Sequence, residues 1–219
     1  MFWNTNEPHG LPHDPFKSCV VPRPIGWISS VSADGVVNLA PYSFFNGVSG
    51  DPPMVMFAAG GRQPSGLKDS RANAEATGEF VCNMVTWELR EPMNASSAPA
   101  APDIDEFELA GLETEPSELV APPRVKAAPI HLECIFYKTL GLPPDRHGGT
   151  NAIVTGRVVG VHIRDAFLKD GPDRHRTRPP GGAHGLSGLH VGGERVHDDA
   201  AKTVKPSVIR PVRRGRSRP

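Results

Sequence analysis

Two long runs of alternating residues in the second half of the chain constrain the fold most. Residues 130–140, IHLECIFYKTL, repeat with a period of two, which predicts a β-strand, and residues 151–163, NAIVTGRVVGVHI, predict its long partner. Gly156 and Gly160 in the partner run predict β-bulges. Sequential βαβ units, which would indicate a parallel sheet, do not accompany these runs.

A β-hairpin is predicted in the first half of the chain. Residues 27–31 form a strand-like run, residues 32–35 supply a turn around Asp34-Gly35, and Val36-Val37 begins the return strand. Because Pro41 interrupts the return strand, we expect it to open into a polar loop whose backbone and amide groups are free for a ligand. The polar residues of this segment are Asn38, Ser43 and Asn46.

The remaining segments predict more short elements. Strands are expected at 54–59 and 79–85, and helices at 69–76, capped by Asp69 or Ser70, and at 87–94, capped by Thr86. A short helix is expected around 15–19, and a half-turn at 107–112 that breaks at Gly111. Five or six strands with two short helices and many turns indicate a mainly β fold, an antiparallel barrel.

The chain divides into three parts by composition. Residues 1–21 predict an N-terminal arm, residues 22–170 a folded domain, and residues 171–219 a basic, low-complexity tail. The tail holds 11 Lys and Arg against 4 Asp and Glu, whereas the rest holds 13 against 20. Because the tail has no aromatic residue and no sustained periodicity, we expect it to be disordered.

Several classes of protein are disfavoured by the sequence. The N-terminus lacks the features of a signal peptide, and no apolar run reaches the roughly 20 residues of a membrane helix, so a cytoplasmic protein is expected. Three widely spaced cysteines favour free thiols over a disulfide framework or a zinc site. The basic tail lacks interleaved aromatic residues, which disfavours nucleic-acid binding.

A combination of short motifs resembles one known family. The motifs are PRPIGWISS (22–30), Asp34-Gly35, NLAPYSFFN (38–46), DPP (51–53), KDS (68–70) with Asn73, GEFVCN (78–83) and SAP (97–99). Together they resemble the flavin reductase-like family, the FMN-binding split barrels that include flavoredoxin. The resemblance covers residues 22–170 and implies an antiparallel split β-barrel with a few short helices.

The resemblance also implies a cofactor site and partners. It implies a homodimer that binds FMN, with FAD as the alternative, between subunits, with the flavin ring along the predicted hairpin and the phosphate near residues 62 and 68–70. A helix N-terminus and nearby cations suit a phosphate independently of the resemblance. The cofactor-binding residues predicted in this way are Trp27, Ile28, Ser29, Ser30, Asn38, Ala40, Pro41, Tyr42, Ser43, Asn46, Arg62, Lys68, Asp69 and Ser70.

Structural alternatives stand beside these assignments. Trp27 could equally be a core residue, and Lys68 and Ser70 an ordinary solvated helix start. His131 and His162 fall on predicted strands, and we name no acid–base catalyst and no metal ligand, because flavin chemistry leaves hydride transfer to the cofactors.

Two functions follow from the resemblance. One is an FMN-dependent oxidoreductase that takes a hydride from NADH or NADPH and passes electrons to free flavin, a partner oxygenase or another acceptor. The other is a flavin-binding electron carrier or storage module without NAD(P)H activity of its own. A third interpretation is that the tail makes this chain a poor binder of flavin or a poor folder, which truncation at Asp170 would test.

The tail departs from the family pattern. Relatives continue past the region of Leu168 with an R-x-G-x-x-Y-like segment that packs near the flavin or the dimer interface, and this chain lacks that segment. Enrichment in Arg, Gly, Pro, Ala and His is what a GC-rich gene gives when it is read out of frame. We therefore predict a change of reading frame near Gly171. Translation of the gene in its other two frames should restore an aromatic-containing, strand-like ending, and a failure in both frames would leave a genuine extension.

Overall fold

The computed structural model describes residues 2–13, 15–61, 66–101, 103–145 and 148–168. Within these ranges the chain forms nine β-strands and four α-helices. The predicted tail, 171–219, and the predicted site residue Arg62 lie outside the described residues. Both therefore remain predictions.

The elements have the following bounds. The strands are β1 (Gly26–Val31), β2 (Val37–Tyr42), β3 (Phe45–Gly50), β4 (Pro53–Gly61), β5 (Glu79–Met84), β6 (Thr114–Glu115), β7 (Arg124–Val125), β8 (Ile130–Leu142) and β9 (Thr150–Ile163). The helices are α1 (Pro15–Cys19), α2 (Asp69–Thr77), α3 (Arg90–Ala95) and α4 (Glu106–Leu109), and a 3-10 turn covers Asp165–Phe167.

Seven strands form one sheet in the order β2-β1-β5-β8-β9-β4-β3, and β6 and β7 form a separate ribbon. Every neighbouring pair is antiparallel, which confirms the predicted mainly β, antiparallel class. The sheet curls so that its two ends approach each other. The Tyr42 ring on β2 lies 4.8 Å from the Phe57 ring on β4, and the Ala58 N–H donates to the Phe44 carbonyl at 2.8 Å.

Strand β1 separates two apolar clusters because successive side chains of a strand point to opposite faces. Ile28 packs in the cluster inside the curled sheet with Phe57 and Phe80. Trp27 packs on the other face with Leu39, and that cluster also includes Phe107. β1 is thus buried on both faces, which fixes its position in the fold.

The predicted polar loop after the hairpin was wrong, because the return strand continues as β2 through Pro41. β2 lies at the end of the sheet, and the Leu39 N–H points away from β1 to a side chain. With the two-residue period, the nitrogen of Pro41 faces the same outer side, where a missing N–H costs no ladder bond. The count of five or six strands was also wrong, since β3, β6 and β7 carry no alternating pattern.

Two helix predictions needed correction. The helix expected at 87–94 begins only at Arg90, with Leu89 as the N-cap and no side-chain cap from Thr86. Pro92 explains the late start, because proline lacks an N–H and is tolerated only in a first helical turn. The cap predicted at Asp69 or Ser70 is instead Lys68, which makes no side-chain capping bond.

One of the two bulges predicted in β9 was confirmed. The pairing of β8 with β9 shifts from Glu133–Gly160 to Cys134–Val158, so the extra residue lies beside Gly160 in β9. The second shift, from Phe136–Gly156 to Lys138–Thr155, places the extra residue in β8, so the bulge expected at Gly156 lies in the opposite strand. Gly156 also permits a close approach, because a Cβ there would lie 2.4 Å from the Phe80 ring. Within the described ranges, no helix is long and apolar enough to cross a membrane.

We expect Gly156→Ala to destabilise the fold, because the buried Phe80 ring and the Ile135 carbonyl surround the added methyl group. Overpacking of this kind costs about 1–3 kcal/mol, which corresponds to a fall in Tm of roughly 2–12 °C for a domain of this size. Thermal unfolding followed by circular dichroism measures the shift. Gly141→Ala on the same hairpin is the matched control, since nothing lies within 4 Å of a Cβ there. Equal Tm values for the two variants would contradict the packing argument.

Candidate functional site

Two adjoining clefts share a wall formed by Pro41, Tyr42 and Lys68. The first, which we call the Ser70 cleft, has a volume of about 90 Å³, and the second, the Lys17 cleft, about 440 Å³. The Ser70 cleft is lined by Asn38, Ala40, Pro41, Tyr42, Lys68, Asp69, Ser70, Ser96, Ser97, Ala98, Pro99, Ala100 and Glu106. The Lys17 cleft is lined by Lys17, Arg23, Pro41, Tyr42, Ser43, Phe44, Ala58, Gly60 and Lys68.

Four parts of the chain build the Ser70 cleft: β2, the start of α2, the loop at 96–100, and α4. Helix α2 begins immediately after the extended residue Lys68, so Asp69 and Ser70 occupy its first two positions. The first N–H groups of a helix have no partner within the helix, and the helix dipole makes this end positive. The cleft therefore combines a helix start with an edge strand.

A buried carboxylate lies beneath the Ser70 cleft. Glu106 is 6% exposed, and its two oxygens each accept from the Asn38 side-chain amide at 3.0 Å. One of these oxygens also accepts from the Leu39 backbone N–H at 2.9 Å. Asp105, the N-cap of α4, accepts from the Phe107 N–H and thereby holds the short helix that carries Glu106.

The hydrogen bonds continue from Asn38 to α2. The Ser70 hydroxyl donates to Asn38 Oδ1 at 2.8 Å, and the Asn73 side-chain amide donates to Ser30 Oγ at 3.1 Å. The prediction that the amide of Asn38 is free for a ligand was wrong, because both ends of this amide have partners within the chain.

The pKa values of two ionisable groups in the cleft, Tyr42 and Glu106, are raised. Burial raises the pKa of Tyr42 to about 12, a hydrogen bond with Ser70 opposes the shift, and the charges of Asp69 and Glu106 add to it. Burial also raises the pKa of Glu106, although the N–H groups of Leu39 and Asn38 oppose the shift and the charge of Asp69 adds to it. Tyr42 is therefore a neutral phenol across the physiological range of pH.

The Lys17 cleft is basic. Lys17, Arg23 and Lys68 supply three cations, and no carboxylate is among the lining residues within the described ranges. Arg23 donates to the Lys17 carbonyl, and its guanidinium carbon lies 5.9 Å from the centroid of the Phe44 ring. The arrangement suits a ligand with a negatively charged group beside a flat or apolar part.

The structure brings eight of the predicted site residues to the clefts. Ser43 lines the Lys17 cleft, and the others line the Ser70 cleft: Asn38, Ala40, Pro41, Tyr42, Lys68, Asp69 and Ser70. Asn46 is exposed on β3 and accepts from the neighbouring Gly47 N–H, away from both clefts. Arg62 lies outside the described residues.

The four predicted residues of β1 are fully buried and line neither cleft. Trp27 is a core residue whose indole N–H donates to Ser96 Oγ at 2.9 Å, and Ile28 lies in the inner cluster. Ser29 donates to the Pro123 carbonyl at 2.6 Å, and Ser30 accepts from Asn73. These contacts position the wall of the site, and direct contact with a cofactor remains a prediction.

Several cleft residues were missed by the sequence interpretation. Arg23, Ser97, Ala98 and Pro99 belong to motifs that carry the family resemblance, so that signal could have found them. Lys17 and Glu106 carry no such signal and are brought to the clefts by tertiary folding. His131 and His162 lie on β8 and β9 as predicted, and neither lines these two clefts.

The chain matches a known protein family in sequence. Residues 18–177 match the family model described as flavin reductase like domain. An uncharacterised protein of Aquifex aeolicus (strain VF5) is 40% identical over 151 residues, which cover 69% of this chain and 74% of that protein.

Solved structures agree with the sequence match. Nitrilotriacetate monooxygenase component B from Bacillus cereus superposes with a TM-score of 0.69 and 31% identity, covering 78% of this chain and 85% of that one. A split barrel domain from Shewanella frigidimarina superposes with a TM-score of 0.61 and 24% identity, covering 71% and 75% of the two chains. The predicted split-barrel fold is confirmed, and the chain belongs to the flavin reductase like family.

Proposed function

We propose that this protein is an FMN-dependent oxidoreductase of the flavin reductase type. It takes a hydride from NADH or NADPH and passes the electrons to free flavin, a partner oxygenase or another acceptor. The observation that carries the proposal is the pair of joined clefts along β2. Their walls come from residues 38–44 and 68–70, segments that also carry the resemblance to the family.

The residues of the clefts fit a phosphorylated flavin. Lys17, Arg23 and Lys68 offer three cations for the phosphate, and Arg62 is a further predicted contact. Pro41, Tyr42 and Phe44 offer flat or apolar surface for a ring, and Ser70 and Ser97 offer hydroxyls for polar edges. FMN suits a single cluster of cations of this kind, with FAD as the alternative flavin.

Bound flavin would supply the two-electron redox chemistry, and the chain would bind and orient it and exclude water. Tyr42 spans both clefts and stays neutral because of burial, so it can contact the ring edge without adding charge. The buried network of Glu106, Asn38 and Ser70 holds this wall rigid. A rigid wall limits the poses of ring and nicotinamide to those suited to hydride transfer.

We infer a homodimer from exposed apolar side chains on the long hairpin. Tyr137, Leu140 and Val161 on β8 and β9 are 69%, 53% and 59% exposed. Exposed apolar side chains along a long hairpin fit an interface, and a second copy would also help to enclose the flavin. The similarity to a monooxygenase component B supports a partner oxygenase as the electron acceptor.

Purified full-length protein is expected to bind FMN with one flavin per chain. The visible spectrum of the purified protein, followed by titration of added FMN with quenching of its fluorescence, measures the stoichiometry. A colourless protein that leaves the fluorescence of added FMN unchanged would refute the proposal. A variant that ends at Asp170 shows whether the tail alone limits occupancy.

The proposed contact between Lys68 and the FMN phosphate can be tested by substitution. Lys68→Ala should weaken FMN binding about tenfold or more, because a charge-assisted hydrogen bond contributes about 1.5–3 kcal/mol. Riboflavin, which lacks the phosphate, should lose little affinity. Lys126→Ala removes the same charge at an exposed pair with Glu113 and should leave both affinities unchanged. Equal losses for FMN and riboflavin would place the phosphate elsewhere.

Bound FMN is expected to be reduced by NADH or NADPH. Anaerobic stopped-flow mixing of the flavin-loaded protein with each nucleotide should show loss of the visible flavin absorbance. An electron carrier without NAD(P)H activity would bind flavin and leave it oxidised with both nucleotides. That outcome would replace the oxidoreductase proposal with the carrier function.

A further inference from the structure

In the hydrogen bonds beneath the Ser70 cleft, the donor and the acceptor of each bond can be assigned. An ionised carboxylate only accepts, so the contacts of Glu106 at 3.0 Å must come from the NH₂ end of the Asn38 amide. The Leu39 N–H holds the same carboxylate at 2.9 Å. The carbonyl end of Asn38 is therefore turned toward α2.

The orientation of the Asn38 amide also sets the direction of the hydrogen bond with the Ser70 hydroxyl. Ser70 has a single hydroxyl proton, and it is donated to Asn38 Oδ1 at 2.8 Å. The donors thus run from Ser70 to Asn38 and from Asn38 to Glu106.

We propose that Glu106 is a positioning residue that makes Ser70 a hydrogen-bond acceptor toward a bound flavin. With its proton donated to Asn38, the Ser70 hydroxyl offers only oxygen lone pairs to a ligand. It would recognise groups that donate, such as ribityl hydroxyls or the ring N–H, and would disfavour the phosphate. The phosphate then lies with the cations of the Lys17 cleft. This inference rests on the proposed binding of flavin.

Protonation of Glu106 would exchange the donors and acceptors in the hydrogen bonds from Glu106 to Asn38 and from Asn38 to Ser70. A protonated carboxyl donates through one oxygen, so it would turn the Asn38 amide, and the NH₂ group of Asn38 would then donate to Ser70. The charged and titratable groups that face Glu106 are Asp69 on α2, Tyr42 on β2 and Lys68 in the cleft wall. The acceptor arrangement is present above the pKa of Glu106, which burial raises, and is lost as the pH falls through it.

The test uses riboflavin, which has no phosphate that could titrate, with the full-length protein. Its affinity is measured by fluorescence titration from about pH 8 to about pH 5, a range that covers raised carboxyl pKa values. Wild type should lose about tenfold in affinity as the pH falls, because donor and acceptor become mismatched. Glu106→Gln should bind weakly and without pH dependence, because its amide group turns Asn38 permanently.

Glu108→Gln is the matched control, since it removes one exposed carboxylate from the same helix. It should reproduce the wild-type profile. The proposal is overturned if the wild-type profile is flat, or if Glu106→Gln and Glu108→Gln give the same profile. A wild type that binds neither riboflavin nor FMN would refute the proposed function itself, which separates the two failures.

The Ser70→Ala variant shows whether Glu106 affects ligand binding through Ser70 or through the general stability of the fold. Since the influence of Glu106 passes through Ser70, riboflavin affinity in the Ser70→Ala background should be independent of pH and of the Glu106→Gln change. A pH step that persists in Ser70→Ala would overturn the proposal. If Glu106→Gln fails to fold in a thermal unfolding control, the profiles of wild type and Ser70→Ala still decide the question.

Discussion

The edge strand β2 imposes the constraint on which the rest of the site depends. A curled sheet that does not close completely leaves backbone groups on its last strand without ladder partners, and buried groups of this kind are costly. Glu106 satisfies the outward N–H of Leu39 and binds the side chain of Asn38 with the same carboxylate. The bonds that satisfy the edge strand also attach α4 to the barrel and form the floor of the Ser70 cleft.

The position of β2 depends in turn on β1. β1 is buried on both faces, with Trp27 and Ile28 in different clusters, so its partner strand has little freedom to shift. Asn83 on β5 strengthens this arrangement, because its amide donates to the Trp27 carbonyl and to Ser29 and accepts from Val125. Polar residues of β1 thus act inside the protein, where satisfied buried hydrogen bonds specify one arrangement.

Sequence patterns predicted the elements whose signal is local. The long strands, the α2 segment and the β9 bulge beside Gly160 follow from alternation and from conformational limits of single residues. β3 was missed because its exposed, glycine-containing sequence lacks alternation. The directions of Asn38 and Ser70 could not be predicted, because they depend on Glu106, which lies 68 positions along the chain from Asn38 and carries no motif of its own. Lys17 was missed for the same reason.

The two clefts offer different chemical groups to a ligand. Three cations line the Lys17 cleft, whereas the Ser70 cleft contains Asp69 and Glu106 together with the Ser70 hydroxyl, whose proton is donated to Asn38. A ligand with an anionic end and a donor-rich end can satisfy both clefts in only one orientation. FMN has both ends, a phosphate and a hydroxylated chain that leads to the ring. In the proposed complex, these differences in charge and hydrogen bonding would orient FMN along β2, and the proposed second subunit would cover its exposed face.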